Sequence, residues 1–385
     1  MPTDPSHRTA PERACAPART PGRTSSTGAL SRRTVLALAG AGVLAAAGCG
    51  QVQLGQPPTY TPPPPGIDDL YRTDLLVLVD RAIAAVDQLR PDHGSGASDA
   101  GGAEPESVLD VRVTDALAAL SVALPVQRTA LLTGAQIERE SEQAEDPDPH
   151  LDPPPPPTDV PTDMAGLVGV LVQLRDLCVD AARQVSGSLA RPVCAIGAHS
   201  TWAALRLQAA SGQGEVPAAP AAQDIGPTRP VPSQDPPSIG AESDYHAYIT
   251  TAQQDEWYAA YVHEVLAANT EGTQREGHLT AMGAHRTRAE TLHTIAQEDG
   301  APAVPRQAVY ALPDGTLDPG SAEQLPTMLG ENLLVAHVAL VGAAPFERRA
   351  VSIEAALTEA GVLAGLVGRL DPLPSLAPEG LPEAE

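Results

Sequence analysis

Proline does not scatter through this chain of 385 residues but collects in runs, Pro62 to Pro65 and Pro153 to Pro157 among them, which neither a helix interior nor a sheet ladder accepts. With small polar residues these runs mark the stretches 56–66, 91–105, 145–161, 212–240 and the tail from Pro372 as too poor in apolar surface to offset chain entropy. They read as extended or disordered spacers, and folded structure is confined to the blocks between them. The 33 Gly and 40 Pro together stay below the share of a wholly low-complexity chain, so a core is allowed. Ala, Leu and Val must build it, because the chain has one Phe, two Trp and seven Tyr. Aromatic and β-branched runs are scarce, which argues against strands and for helices.

Within the blocks apolar residues recur at three- and four-residue spacing. Ile67, Tyr71, Leu75, Leu78, Ala82, Val86 and Leu89 make one such stripe. Further helices are expected over 108–142, kinked or broken at Pro125, over 162–185, and from Pro192 in a first turn through Trp202 to Leu207. In the second half one stripe holds Tyr245, Ile249, Ala252, Glu256, Ala259, His263 and Leu266, and the next Met282, His285, Ala289, Leu292 and Ala296. A third helix, over 321–341, carries Met328, Glu331, Val335 and Val338, and a fourth, over 346–370, carries Ala350, Ile353, Leu357, Ala360, Ala364 and Val367. Two hairpins joined by the longer segment 300–320 describe a bundle with one long connection. The expected fold is all-α: an up-down four-helix bundle over 241–371, preceded by four helical elements over 67–211, with a Pro-rich linker at 212–240 and a disordered tail at 372–385.

Residues 1–48 read as an export signal. Ser31-Arg32-Arg33-Thr34-Val35-Leu36 opens an uncharged stretch ending at Gly48. Its fifteen residues from Thr34 would make a helix of about 23 Å, short of a bilayer core of about 30 Å. The adjacent Arg32 and Arg33 resemble a twin-arginine signal, and Ala46-Ala47-Gly48-Cys49 resembles a bacterial lipobox, which implies lipid on Cys49. Residues 49–66 would then be a Pro-rich linker reaching on the order of 50 Å. The implied address is the outer face of the bacterial cytoplasmic membrane, with membrane contact through the lipid. The formal charge is −24, and without residues 1–48, which hold six Arg against Asp4 and Glu12, it falls to about −28. Such a surface repels nucleic-acid backbones and anionic headgroups. Cys178 and Cys194 lie equidistant from a turn at 185–188, which favours a disulfide in an oxidising compartment over two buried free thiols.

Ala284-His285-Arg286-Thr287-Arg288, Tyr310-Ala311-Leu312-Pro313, Glu331 within a helix and a final Ala-rich helix resemble the ferritin-like domain of unknown function found in actinobacterial secreted and lipid-anchored proteins. Leu189-Ala190-Arg191 through Ala198-His199 resemble the segment that precedes it in those proteins. The resemblance covers most of 189–369. It implies a ferritin-like bundle and an envelope address, and carries no activity.

Ferritin-like di-iron proteins place one Glu on each of two helices and a Glu-x-x-His pair on each of the others. The one such pair here, Glu290 and His293, lies about 100° round the helix from the Ala289 and Leu292 stripe, as a chance surface pair would. Glu256, His285 and Glu331 do fall on inward stripes, and a turn near 272 sets Glu256 level with Arg288. Buried charges must be paired or neutralised, and Arg288 supplies a fixed positive charge where a metal would need free carboxylates. Glu256, His285, Arg288 and Glu331 therefore read as a salt-bridge layer rather than a metal or catalytic site. No nucleophile elbow, phosphate loop, Cys-x-x-Cys or His-Glu-x-x-His motif occurs. His199 reads as a core histidine, and Trp202, Trp257 and Tyr258 as packing anchors. No cofactor is expected. These features point to an exported, lipid-anchored, non-enzymatic binding or interaction module whose partner is an envelope protein or a small ligand. The rival is a carboxylate metal protein or oxidoreductase with an irregular ligand set around Glu256, His285 and Glu331.

Overall fold

A computed structural model of the chain describes residues 65–90, 108–146, 156–231, 242–313 and 319–376. The expected signal with Arg32 and Arg33, the expected lipidation site Cys49, most of the linker 49–66 and the spacer 91–105 lie outside those residues. The described ones are all-α, with no strand among them. The helices are α1 (Ile67–Leu89), α2 (Val108–Leu131), α3 (Gly134–Glu145), α4 (Met164–Gln184), α5 (Gly187–Ser211), α6 (Glu242–Ala268), α7 (Gly272–Glu298), α8 (Pro319–Ala343) and α9 (Ala350–Leu366).

Helix α5 is apolar over most of its circumference, and a helix of that kind belongs inside a fold. Of its 25 residues 17 are buried. Two of its polar side chains are absorbed locally, Ser200 and Thr201 donating their hydroxyls to the carbonyls of Ile196 and Gly197 at 2.8 and 2.9 Å, while His199 and the Trp202 indole N–H are buried without partners among the described residues. Helix α4 begins at Asp163, whose carboxylate accepts the Gly166 N–H at 2.7 Å, and it pairs with α5 across a two-residue turn. Helix α5 packs on α4, α2, α8 and α9. At its first residue a Cβ on Gly187 would lie 2.4 Å from the carbonyl oxygen of Gly342, so only glycine permits α5 to meet α8 there. One continuous core thus holds Leu75, Leu124 and Leu171 from the first half beside Val338, Leu357 and Leu363 from the second. The two halves are not separate bundles.

In the second half α6 packs on α7 and α8, and α8 on α9. The short connection 269–271 makes α6 and α7 antiparallel, and Tyr245 to Asp299, Glu256 to Arg288 and His263 to His278 are successive rungs between them. The segment Ala322–Ala343 is long and apolar enough to cross a membrane by length and composition, yet 61% of its apolar window is buried in the bundle.

Several sequence expectations are corrected. Pro125 lies inside an uninterrupted α2, and the break comes later, at Leu132 and Thr133, where Thr133 and Gln136 form a capping box that opens α3. Helix α5 starts at Gly187, so Pro192 is not in its first turn. Over its described part the expected linker 212–240 is a packed strap: Gln184 accepts the N–H groups of Thr228 and Arg229, Arg175 donates to the Pro217 carbonyl, and Ile225 joins the core. The expected disordered tail is also packed as far as Leu376, with Leu373 buried and the Pro372 carbonyl accepting from Gln127 at 3.0 Å. Isolated backbone polar groups of such segments find partners on helix ends and side chains, which composition alone does not reveal.

The expected disulfide is absent: Cys178 and Cys194 are both free and buried. Cys178 packs against Gly197, where a Cβ would lie 2.9 Å from its own, so the hairpin register sets it about one turn beyond Cys194. Burial raises both thiols, Cys194 to about 12, and keeps them in the unreactive protonated form.

Candidate functional site

A polar layer interrupts the apolar interior where α6, α7, α8 and α9 converge. Glu256 of α6 is fully buried and accepts two hydrogen bonds, from His285 Nδ1 of α7 to Oε2 and from His337 Nε2 of α8 to Oε1, each 2.8 Å. Arg288 Nε stands 2.8 Å from Oε1, an ion pair without the alignment of a hydrogen bond. The Arg288 Nη2 group donates to Glu359 of α9. That nitrogen is also 2.9 Å from His285 Nδ1, but an imidazole nitrogen that gives its proton to a carboxylate cannot accept another, so this contact is packing. Four helices therefore contribute one connected set: Glu256, His285 with Arg288, His337, and Glu359.

Electrostatics follow from the geometry. Burial alone would raise the Glu256 carboxyl, yet donation from His285 and His337 and the charge of Arg288 hold it down at about 2. Burial likewise opposes the Arg288 charge, and Glu256 and Glu359 outweigh it, raising that pKa. Neighbouring Asp255 is lifted to about 6, by burial first and then by Glu256, with His337 opposing. His263 stacks on His285 with ring centroids 5.2 Å apart, and its Nδ1 lies 3.1 Å from His278 Nδ1. Burial, then the neighbouring His285 and His278, depress His263 to about 3, so it is neutral at physiological pH.

Of the sequence candidates, Glu256, His285 and Arg288 meet in this layer and Glu331 does not. Glu331 is exposed, and His337 stands where an α8 residue enters the layer. Glu331 and the exposed Val335 lie off the stripe facing α6, which runs through Leu325, Leu329, Leu333 and His337 with Met328 at its edge. Helix α8 is covered on more than one side, by α6, α9 and α5, so its apolar residues surround the axis and mask which stripe faces the layer. Sequence reasoning also missed Glu359. Both missed residues sit at helical spacing among apolar ones, His337 between Leu333 and Leu340 and Glu359 between Ala356 and Leu363, and a lone polar residue on such a stripe is the signal. Glu290 is exposed, and His293 approaches the Val304 carbonyl at 3.2 Å, away from the layer. His199 is buried with neither ring nitrogen paired, and burial lowers it to about 4.

The layer does not fit a metal ion. Both Glu256 oxygens face donors, and a guanidinium occupies the place between Glu256 and Glu359 that a cation would take. Among the described residues no group of three or more His, Cys, Asp or Glu is arranged to hold a metal. A separate cleft between α5, α6 and α8, lined by Arg191, Tyr248 and Asp244, encloses about 240 Å³. That is below the roughly 300–1,000 Å³ of sites that engulf a small molecule.

A family model described as a domain of unknown function, DUF4439, matches residues 249–378. The match contains Glu256, His285, Arg288, His337 and Glu359 together. The chain matches no curated protein and no solved structure.

Proposed function

We propose that this chain is an exported, lipid-anchored protein of the cell envelope, whose ferritin-like helical bundle serves as a non-enzymatic interaction module. The observation that carries the non-enzymatic part is the position of Arg288 between Glu256 and Glu359. Glu256 takes a hydrogen bond from each of two histidines and the charge of Arg288, and Arg288 also pairs with Glu359, so both carboxylates already have partners, while His337 Nδ1 is buried without one among the described residues. The guanidinium stands where an ion bridging Glu256 and Glu359 would have to sit. Recognition then falls to the surface rather than the interior, and the cleft beside Tyr248 is too small to favour a sizeable ligand over a protein partner. Export and anchoring rest on the Arg32 and Arg33 pair and on Cys49, and the Pro-rich stretch that follows would hold the body clear of the bilayer.

Metal analysis of the full chain produced without chelator tests the reading. Iron, manganese and zinc are expected well below one per chain. Stoichiometric metal that disappears in Glu256→Ala would instead establish the carboxylate metal protein, with His337 and Glu359 as added ligands.

A further inference from the structure

A second polar cleft, open to solvent and of about 280 Å³, lies far from that layer in sequence, between α1 and α3. Helix α3 buries none of its side chains and is held by α2: Arg128 donates twice to Glu140 of α3 at 2.9 Å and to Asp80 of α1 at 2.8 Å. This clamp sets Arg139 of α3 and Arg72 of α1 along the same cleft, beside Thr73 and Thr133, whose hydroxyls donate to the Asp69 carbonyl and to Gln136. Neither guanidinium has an ion pair among the described residues. The Arg139 Nε donates to its own helix at the Ala135 carbonyl, and the Arg72 Nε is buried without an acceptor. In a chain with 48 acidic residues to 24 basic ones, two unpaired arginines on one cleft run against composition. Elsewhere Arg128, Arg229, Arg288 and Arg348 find carboxylates, and Arg81, Arg183, Arg191 and Arg349, which do not among the described residues, give guanidinium N–H groups to backbone carbonyls of other segments.

The remaining donors agree. Gln136 turns its Oε1 to the Thr133 N–H and hydroxyl at 2.8 and 2.9 Å, which leaves its amide hydrogens free at the same wall. Asp69 supplies one acceptor to the cleft. We propose that this cleft binds a small phosphate-type oxyanion between the guanidiniums of Arg72 and Arg139. Guanidinium groups present paired N–H donors that match such oxyanions. The net negative charge of the chain does not forbid it, because at physiological salt screening confines distant charges to about 8 Å. Asp69 favours an oxyanion that keeps a hydrogen at neutral pH, hydrogen phosphate over sulfate, since a carboxylate repels an anion with no proton to share.

Titration of the full chain with inorganic phosphate by calorimetry at constant ionic strength, with sulfate and chloride as competitors, tests the site. Saturable binding of one phosphate per chain is expected, weakened at least tenfold in Arg72→Gln and in Arg139→Gln, with sulfate weaker than phosphate and the gap narrowed in Asp69→Asn. Arg139 is exposed, so its variant is expected to fold as the parent does. No saturable binding, or binding unchanged in both arginine variants, overturns the proposal. Sedimentation with phosphatidylglycerol vesicles separates the free anion from a lipid headgroup. Vesicle binding that depends on Arg72 and Arg139 while inorganic phosphate does not bind also overturns it.

Discussion

Glu256 holds its charge in the core because donors reach both of its oxygens, and removing that charge strands the groups around it. Glu256→Gln leaves Arg288 with Glu359 alone and turns an amide N–H toward a histidine donor. The expected loss is about 3–5 kcal/mol, read as a lower urea midpoint. Proton linkage at this layer runs in two directions. The Glu256 carboxyl, held at about 2 against an ordinary 4.5, contributes stability present above pH 4.5 and lost as pH falls toward 2. His263, neutral and depressed to about 3 from 6.5, adds a contribution present above pH 6.5 and lost as pH falls through that interval. Asp255 acts oppositely. Its folded pKa of about 6 exceeds the ordinary 3.8, so its favourable contribution exists below pH 3.8 and is lost as pH rises through 6. Asp255→Asn is therefore expected to stabilise the protein on the order of 1 kcal/mol at pH 7.5 and to leave it unchanged at pH 3.5, as measured by denaturant unfolding at the two pH values.

Helix ends carry the other concentrated charge. Arg349, fully buried just before α9, donates Nη1 to the Ala182 and Val185 carbonyls at 3.1 and 2.6 Å and Nε to the Ala344 carbonyl at 3.0 Å. These carbonyls belong to the C-terminal ends of α4 and α8, which the helices themselves leave without donors, and a cation there also meets the negative end of each helix. Burial, helped by Arg183, lowers the Arg349 pKa to about 10, which still leaves it charged at neutral pH. Arg349→Met fills similar space and orphans three carbonyls, with an expected loss of about 3 kcal/mol at unchanged m-value in urea. Arg349→Lys should recover only part of it, because a single ammonium cannot span two helix ends. The segment that carries Arg349 was expected to be helical from 346; instead a 3-10 turn, Phe346–Arg348, aims the arginine back into the core.

At the scale of the molecule, Leu334, Val338, Ile353, Leu357 and Leu363 bury themselves against α5 and its neighbours rather than within the second half alone. The described residues from 65 to 376 form one compact unit, so the full chain is expected to unfold in a single calorimetric transition. A fragment of residues 241–385 should lack that transition and bind a hydrophobic dye, since it exposes this face; a sharp independent transition in the fragment would show the halves to be autonomous. Helical class and the pairing of Glu256 with the α7 stripe were legible because period, composition and a short hairpin are local properties, whereas Pro125 and Pro192 proved to lie inside helices. A polar residue recurring among leucines, as His337 and Glu359 do, announces burial but not its partner. Which face of α8 meets which neighbour, that α5 joins both halves, that Cys178 faces Gly197 rather than Cys194, and that two arginines share a cleft beside α1 are not local. They depend on how several apolar faces, each able to pack in more than one way, are buried simultaneously, and that choice exists only in the assembled chain.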